Sequence, residues 1–285
     1  MIRKCLNKLS ISVFAVLLVL SSSTFAQSVG TDEIVSKHIA SMGGSAKLAE
    51  IKNRIVAGAS EFESKFPTIK TTGKALIASD ATNMMLVASF ASKEYPMEKI
   101  GYFVNKANLP WVTAGARSPL GAYLADNEII LADGIFGGSM SSKWLMLNQA
   151  KRDGVLKSLG TRRIDGRKVY ALEYISKGIG SQAFTIVLSF DAETFHHVRT
   201  EYRHEVSTRQ DTFGQLGRQG GALLTLVESF GDFRTVDGYT FPYDYKASYR
   251  TESNSGTYEY IWGIKVGAYN LNRNLAPDFF RFDPS

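Results

Sequence analysis

Residues 239–250, YTFPYDYKASYR, carry an aromatic ring at 239, 241, 243, 245 and 249, and the period breaks only at Ala247. Alternate side chains of an extended chain fall on one side, so this run predicts a strand with an aromatic face; Thr240, Asp244, Lys246, Ser248 and Arg250 turn to water. Such rings must press on the protein's own core, on a bilayer or on a bound apolar ligand. The same period recurs in Phe184, Ile186, Leu188 and Phe190, and in Tyr258, Tyr260, Trp262, Ile264 and Val266. In HVRTEYRHEV, His197, Arg199, Glu201, Arg203 and Glu205 make a wet side, opposite Val198, Thr200, Tyr202, His204 and Val206. Read between turn signals, the pattern predicts strands over 54–63, 68–79, 83–91, 99–105, 156–163, 168–176, 182–190, 196–207, 222–233, 239–250 and 257–269. Asp165-Gly166 and Asp237-Gly238 are hairpin chemistry, which makes the sheet an antiparallel meander.

Helical periods occur in two places. Near the start, Thr31 is placed to cap a helix whose apolar face is Ile34, Val35, His38, Ile39 and Met42. Gly43-Gly44 stops it, and Ser45 is placed to cap a second short helix bearing Leu48 and Ile51. The other place is 118–159, an insertion of short helical runs around Gly137-Gly138. Residues 212–222, TFGQLGRQGGA, read as a long glycine-rich loop.

The first 26 residues change the picture of location. Arg3, Lys4 and Lys8, the apolar run ISVFAVLLVL and the small residues around Phe25 form a secretory signal peptide, with cleavage expected after Ala26. The domain expectation is therefore signal peptide 1–26 and one domain over 27–285, periplasmic or secreted and soluble. The only cysteine, Cys5, leaves with the signal, which removes thiol nucleophiles, thiolate metal sites and disulfides. The formal charge of +6 falls to +3 as Arg3, Lys4 and Lys8 leave, and the remaining basic residues are dispersed. Nucleic-acid binding, which needs a basic patch or stripe, is not expected.

Candidate chemistry is thin. Gly137-Gly138-Ser139-Met140-Ser141 lacks the last glycine of a nucleophile elbow, and no Gly-Lys-Ser/Thr follows to make a phosphate loop. The four histidines, His38, His196, His197 and His204, have no metal-binding spacing, and His38 reads as a core residue. Among the acids, Glu228 stands out because it shares a face with Leu224, Leu226 and Phe230; an exposed sheet edge accounts for it as well as a functional role does. No catalytic, metal or cofactor site is expected.

The helix ending in MGGSAKLAEIK, the strand RIVAGASEFE, the segments GIFGGSMSSKW, LSFDAETFHHVRTEYR and GDFRTVDGYTFPYDY, and the closing NLAPDFFRFD together resemble the periplasmic lipoprotein-carrier superfamily, the Lol-type sorting proteins. The resemblance covers most of the chain after residue 26 in its order of elements. It implies a mainly β fold with some helix: a curved antiparallel sheet, an unclosed half-barrel, with helices on its concave face. It also implies an apolar cavity that takes up acyl chains and an arginine that helps hold a lid shut. On that reading the chain is a monomeric, non-catalytic carrier of a lipid or acylated lipoprotein, with an envelope protein as partner. The cavity lining is expected from Phe184, Ile186, Leu188, Phe241, Tyr243, Tyr245, Tyr260 and Trp262, and the 118–159 insertion is expected as a movable cover hinged at Gly137 and Gly138. Two alternatives stay open: a filled core serving as a scaffold, and a hydrolase of apolar substrates.

Overall fold

The alternating runs become strands in the computed structural model, which describes residues 29–147, 154–177, 184–206 and 221–282. Residues 1–26, expected as a signal peptide, and most of the 212–222 loop lie outside the described residues. The strands are β1 (Asn53–Lys65), β2 (Thr68–Asp80), β3 (Met84–Phe90), β4 (Met97–Phe103), β5 (Lys106–Asn108), β6 (Val155–Ile164), β7 (Arg167–Ile175), β8 (Phe184–Asp191), β9 (His197–Val206), β10 (Ala222–Val236), β11 (Tyr239–Ser253) and β12 (Gly256–Leu271). Each strand predicted from the pattern is present, and the three-residue β5 is the one added.

All twelve form one antiparallel sheet in the order β5-β4-β3-β2-β1-β12-β11-β10-β9-β8-β7-β6. The chain thus makes two meanders, β1–β5 and β6–β12, and the pairing of β1 with β12 joins them. The outer strands β5 and β6 do not pair, so the sheet is an unclosed half-barrel rather than a closed barrel. Register shifts at Ala57/Gly58 in β1 and Ser189/Phe190 in β8 mark bulges, which bend a sheet that must wrap a core.

This topology decides where the insertion goes. Its chain leaves β5 at one edge of the sheet and must enter β6 at the other, so it crosses the sheet's apolar face. The crossing segment contains α3 (Pro119–Asp126), α4 (Ile129–Ala132) and a 3-10 turn at Gly138–Met140. Ser118 caps α3 by accepting the Gly121 N–H, and Pro119 supplies the fixed φ of a first helical residue. The insertion is shorter than expected, because Val155–Ile164 is already strand β6. The other helices, α1 (Thr31–Ser41) and α2 (Ser45–Ala49), pack on the same face through Ile34, Val35, Met42 and Leu48. Both start one residue earlier than a Thr31 or Ser45 cap implies: the N-cap positions are Gly30 and Gly44, neither of which has a capping side chain.

On the opposite face a small second core gathers Ala78, Met85, Phe280 and Phe282, with Leu275 and Phe279 against it. The closing NLAPDFFRFD therefore seals the outer surface near β2 and β3 rather than adding a strand. Each fully buried phenylalanine there contributes about 1.5–3 kcal/mol.

Candidate functional site

The aromatic face of β11 turns inward, and the reason for its one break lies on the next strand. Ala247 pairs directly with Trp262 of β12, and the small residue leaves room for the indole. Around Trp262 the rings pack closely: Phe62 stacks on Tyr95 at 3.8 Å between centroids, and Trp262 lies 5.6 Å from Phe62. The eight residues expected to line a cavity all join one apolar cluster. Ile186, Leu188, Phe241, Tyr245 and Trp262 are buried in it, and Phe184, Tyr243 and Tyr260 pack against it half-buried. The space left beside Tyr245, Ala247 and Trp262 is about 10 Å³, room for one water at most.

What covers these rings is the crossing segment, and from Gly134 to Met146 it is buried throughout. Gly137 and Gly138 lie at its deepest part, both with positive φ (+76° and +44°). A Cβ at Gly138 would come within 2.7 Å of His197 and Phe230, so this turn is wedged into the core.

Polar side chains on the sheet hold the segment at several points, among them Glu228, Glu98 and Arg54. Glu228, 0% exposed, receives the O–H of Tyr202 at 2.6 Å, the O–H of Tyr245 at 2.8 Å and the N–H of Gly137 at 2.8 Å. The exposed-edge reading of Glu228 is overturned, because β10 is an interior strand between β9 and β11. Glu98 on β4 receives the hydroxyl of Ser118 at 2.6 Å and that of Tyr95, which itself accepts the indole N–H of Trp262 at 3.0 Å. Arg54 on β1 donates from Nη1 to the Ser139 carbonyl at 2.6 Å, with Phe241 over its guanidinium at 3.9 Å.

The electrostatics follow from burial. Loss of water pushes the Glu98 and Glu228 carboxyls up to about 7, against the pull of their hydrogen bonds. Burial also lowers His38 to about 4. Its Nε2 accepts the Trp144 indole N–H at 3.0 Å, so Nδ1 carries the proton toward the Phe195 carbonyl at 3.0 Å. His38 is the core histidine its position predicts. His197 is a correction: simple alternation puts it on the wet side with Arg199, but the bulge where Phe190 meets His197 turns it inward, where it is buried and stacks on Trp144 at 4.5 Å.

Glu98, Arg54, Tyr202 and Trp144 escape the sequence reading as site residues. The signal for two of them is phase. Arg54 alternates with Val56, and Glu98 with Ile100 and Tyr102, so each charge stands where the apolar face demands a hydrophobe. Among the described residues no group of three or more His, Cys, Asp or Glu side chains is placed to hold a metal.

No family model matches the chain, and no curated protein matches it. Solved structures do. A LolA superfamily protein from Nitrosomonas europaea is 15% identical over 90% of this chain and 99% of its own, with a TM-score of 0.47. A putative outer membrane lipoprotein-sorting protein domain from Vibrio parahaemolyticus is 11% identical over 87% and 95%, with a TM-score of 0.44. A DUF1329 family protein from Desulfovibrio piger is 11% identical over 88% and 96%, with a TM-score of 0.39. All three lie below 25% identity and below a TM-score of 0.5.

Proposed function

We propose that the chain is a non-catalytic carrier, working outside the cytoplasm, that holds a lipid, an acyl chain or a similar apolar ligand on the inner face of the half-barrel. One observation carries this reading: a broad apolar sheet face is covered by α1, α2 and the crossing segment, and the segment is fastened through the polar contacts of Glu98, Glu228 and Arg54. Buried polar contacts give less stability than apolar packing of the same volume, and their ends can take up water once parted. Such a seam suits a cover that opens. With the cover in place the space beside Tyr245, Ala247 and Trp262 holds at most a water, so loading there requires the cover to move. Gly137 and Gly138 supply the backbone freedom once Gly137 leaves Glu228. A second envelope protein that loads or receives the ligand completes the reading.

The test locks the cover. The Ser142 N–H donates to Ser79 Oγ at 2.7 Å, so cysteines at these two positions are placed to bridge segment and sheet. Binding is read by displacement of a fluorescent fatty acid. The Ser79→Cys/Ser142→Cys protein is expected to bind when reduced, to lose binding when oxidised and to regain it with reductant. A wild type that binds no fatty acid, or an oxidised protein that binds unchanged, overturns the proposal.

Export through cleavage after Ala26, leaving a single domain over 27–285, belongs to the same proposal. N-terminal sequencing of the exported protein is expected to begin at Gln27, and an intact Met1 would refute it.

A further inference from the structure

A groove of about 820 Å³ opens between α1, α2 and the end of the crossing segment, with Ile39, Leu48, Ile51, Met146 and Leu147 among its walls. Its volume falls in the range of small-molecule sites, roughly 300–1,000 Å³. Arg54 also lines it and is only 1% exposed. One nitrogen of the guanidinium, Nη1, is bonded to Ser139. The other two, Nε and Nη2, are buried and have no hydrogen-bond partner. These two share one edge of the guanidinium, the edge that meets two oxygens of a carboxylate or phosphate together. Ser142, in the same lining, has a buried hydroxyl that also lacks a partner. Among the described residues no carboxylate pairs with Arg54, and the one acid lining the groove, Asp32, is exposed. A buried guanidinium with an empty bidentate edge is costly to maintain, and an anion is what completes it.

We propose that this groove binds an anionic amphiphile: a carboxylate or phosphate head on the Nε and Nη2 edge of Arg54, beside the Ser142 hydroxyl, with an aliphatic chain along the apolar wall. The inference rests on the carrier reading and names the class of ligand carried. The head group fixes the ligand's orientation, and the uncharged wall admits different chain lengths. A bound anion also answers the charge beneath the Ser139 turn, which ties ligand binding to the cover.

Titration calorimetry on the intact protein with dodecanoate, dodecyl phosphate, dodecanol and inorganic phosphate tests it. At least one of the two anionic amphiphiles is expected to bind tenfold or more tighter than dodecanol, and the tighter of the pair identifies the head as carboxylate or phosphate. Arg54→Met is expected to bring the anions to the dodecanol level measured on the same variant. Equal binding of acid and alcohol overturns the inference but leaves the carrier reading standing. If none of the three chains binds, both fall. Inorganic phosphate binding as tightly as dodecyl phosphate overturns the role of the chain. Should Arg54→Met fail to fold, Ser142→Ala is expected to weaken the preferred anion several-fold with dodecanol unaffected, and an unchanged anion affinity removes the head group from this place.

Discussion

Replacing Trp144 by alanine is expected to cost about 3–5 kcal/mol of folding stability, the loss typical of a fully buried tryptophan. The indole is 0% exposed, stacks on His197 and donates to His38, so its removal opens a cavity and also leaves His38 Nε2 without its donor. Against a total of roughly 5–15 kcal/mol, such a loss brings the fold near its limit. Urea unfolding of wild type, Trp144→Ala and Trp144→Phe measures it. The phenylalanine variant keeps most of the ring and loses the N–H, and it should cost about 1–3 kcal/mol. A cost below about 1 kcal/mol for Trp144→Ala would mean that the crossing segment is not packed against the sheet in solution.

The second large effect is a pH dependence. Glu98 and Glu228 ionise at 4.5 in the unfolded chain but hold their protons to about 7 in the fold. Between these values the folded chain binds more protons at the two carboxyls, so their contribution is whole below pH 4.5, falls as the pH rises and is gone above about 7. The change is on the order of 3 kcal/mol for each carboxyl. Histidines oppose it. His38, lowered to about 4, and His197, also lowered by burial, refuse protons that the unfolded imidazoles take up below 6.5, so their contribution falls as the pH falls. The two trends largely cancel in the wild type between about 4.5 and 6.5, and the informative quantity is the difference from Glu228→Gln. The amide does not titrate, so the variant should gain on the wild type by on the order of 3 kcal/mol between pH 4.5 and 7.5. Denaturant titrations across that range decide the matter: a difference that stays constant means that Glu228 is ionised in the fold.

Much of the architecture is legible in the chain because period-two alternation is a local property. Residues 239–250 form β11 whatever lies opposite, and Asp165-Gly166 and Asp237-Gly238 turn the chain whatever surrounds them. The pattern also locates Glu228 in phase with Leu226 and Phe230, and the same test applied to residues 54 and 98 singles out Arg54 and Glu98. What alternation misses is where the count slips by one, as at His197, since a bulge belongs to a pair of strands and not to either sequence.

The sequence by itself determined the strands, their hairpins, the inward set of rings and the break at Ala247. Pairing across the whole length of the chain decided the rest. Once β1 joins β12, the ends β5 and β6 become opposite edges, and the segment between them has no course but over the apolar face. That crossing takes Gly137 to Glu228, Ser118 to Glu98 and Ser139 to Arg54, contacts between residues 20 to 91 positions apart. Local propensity carries no information about such distances. It therefore fixed which side chains face inward, and only the tertiary structure fixed what lies against them: a buried segment held by polar fastenings, and a guanidinium with one edge still free.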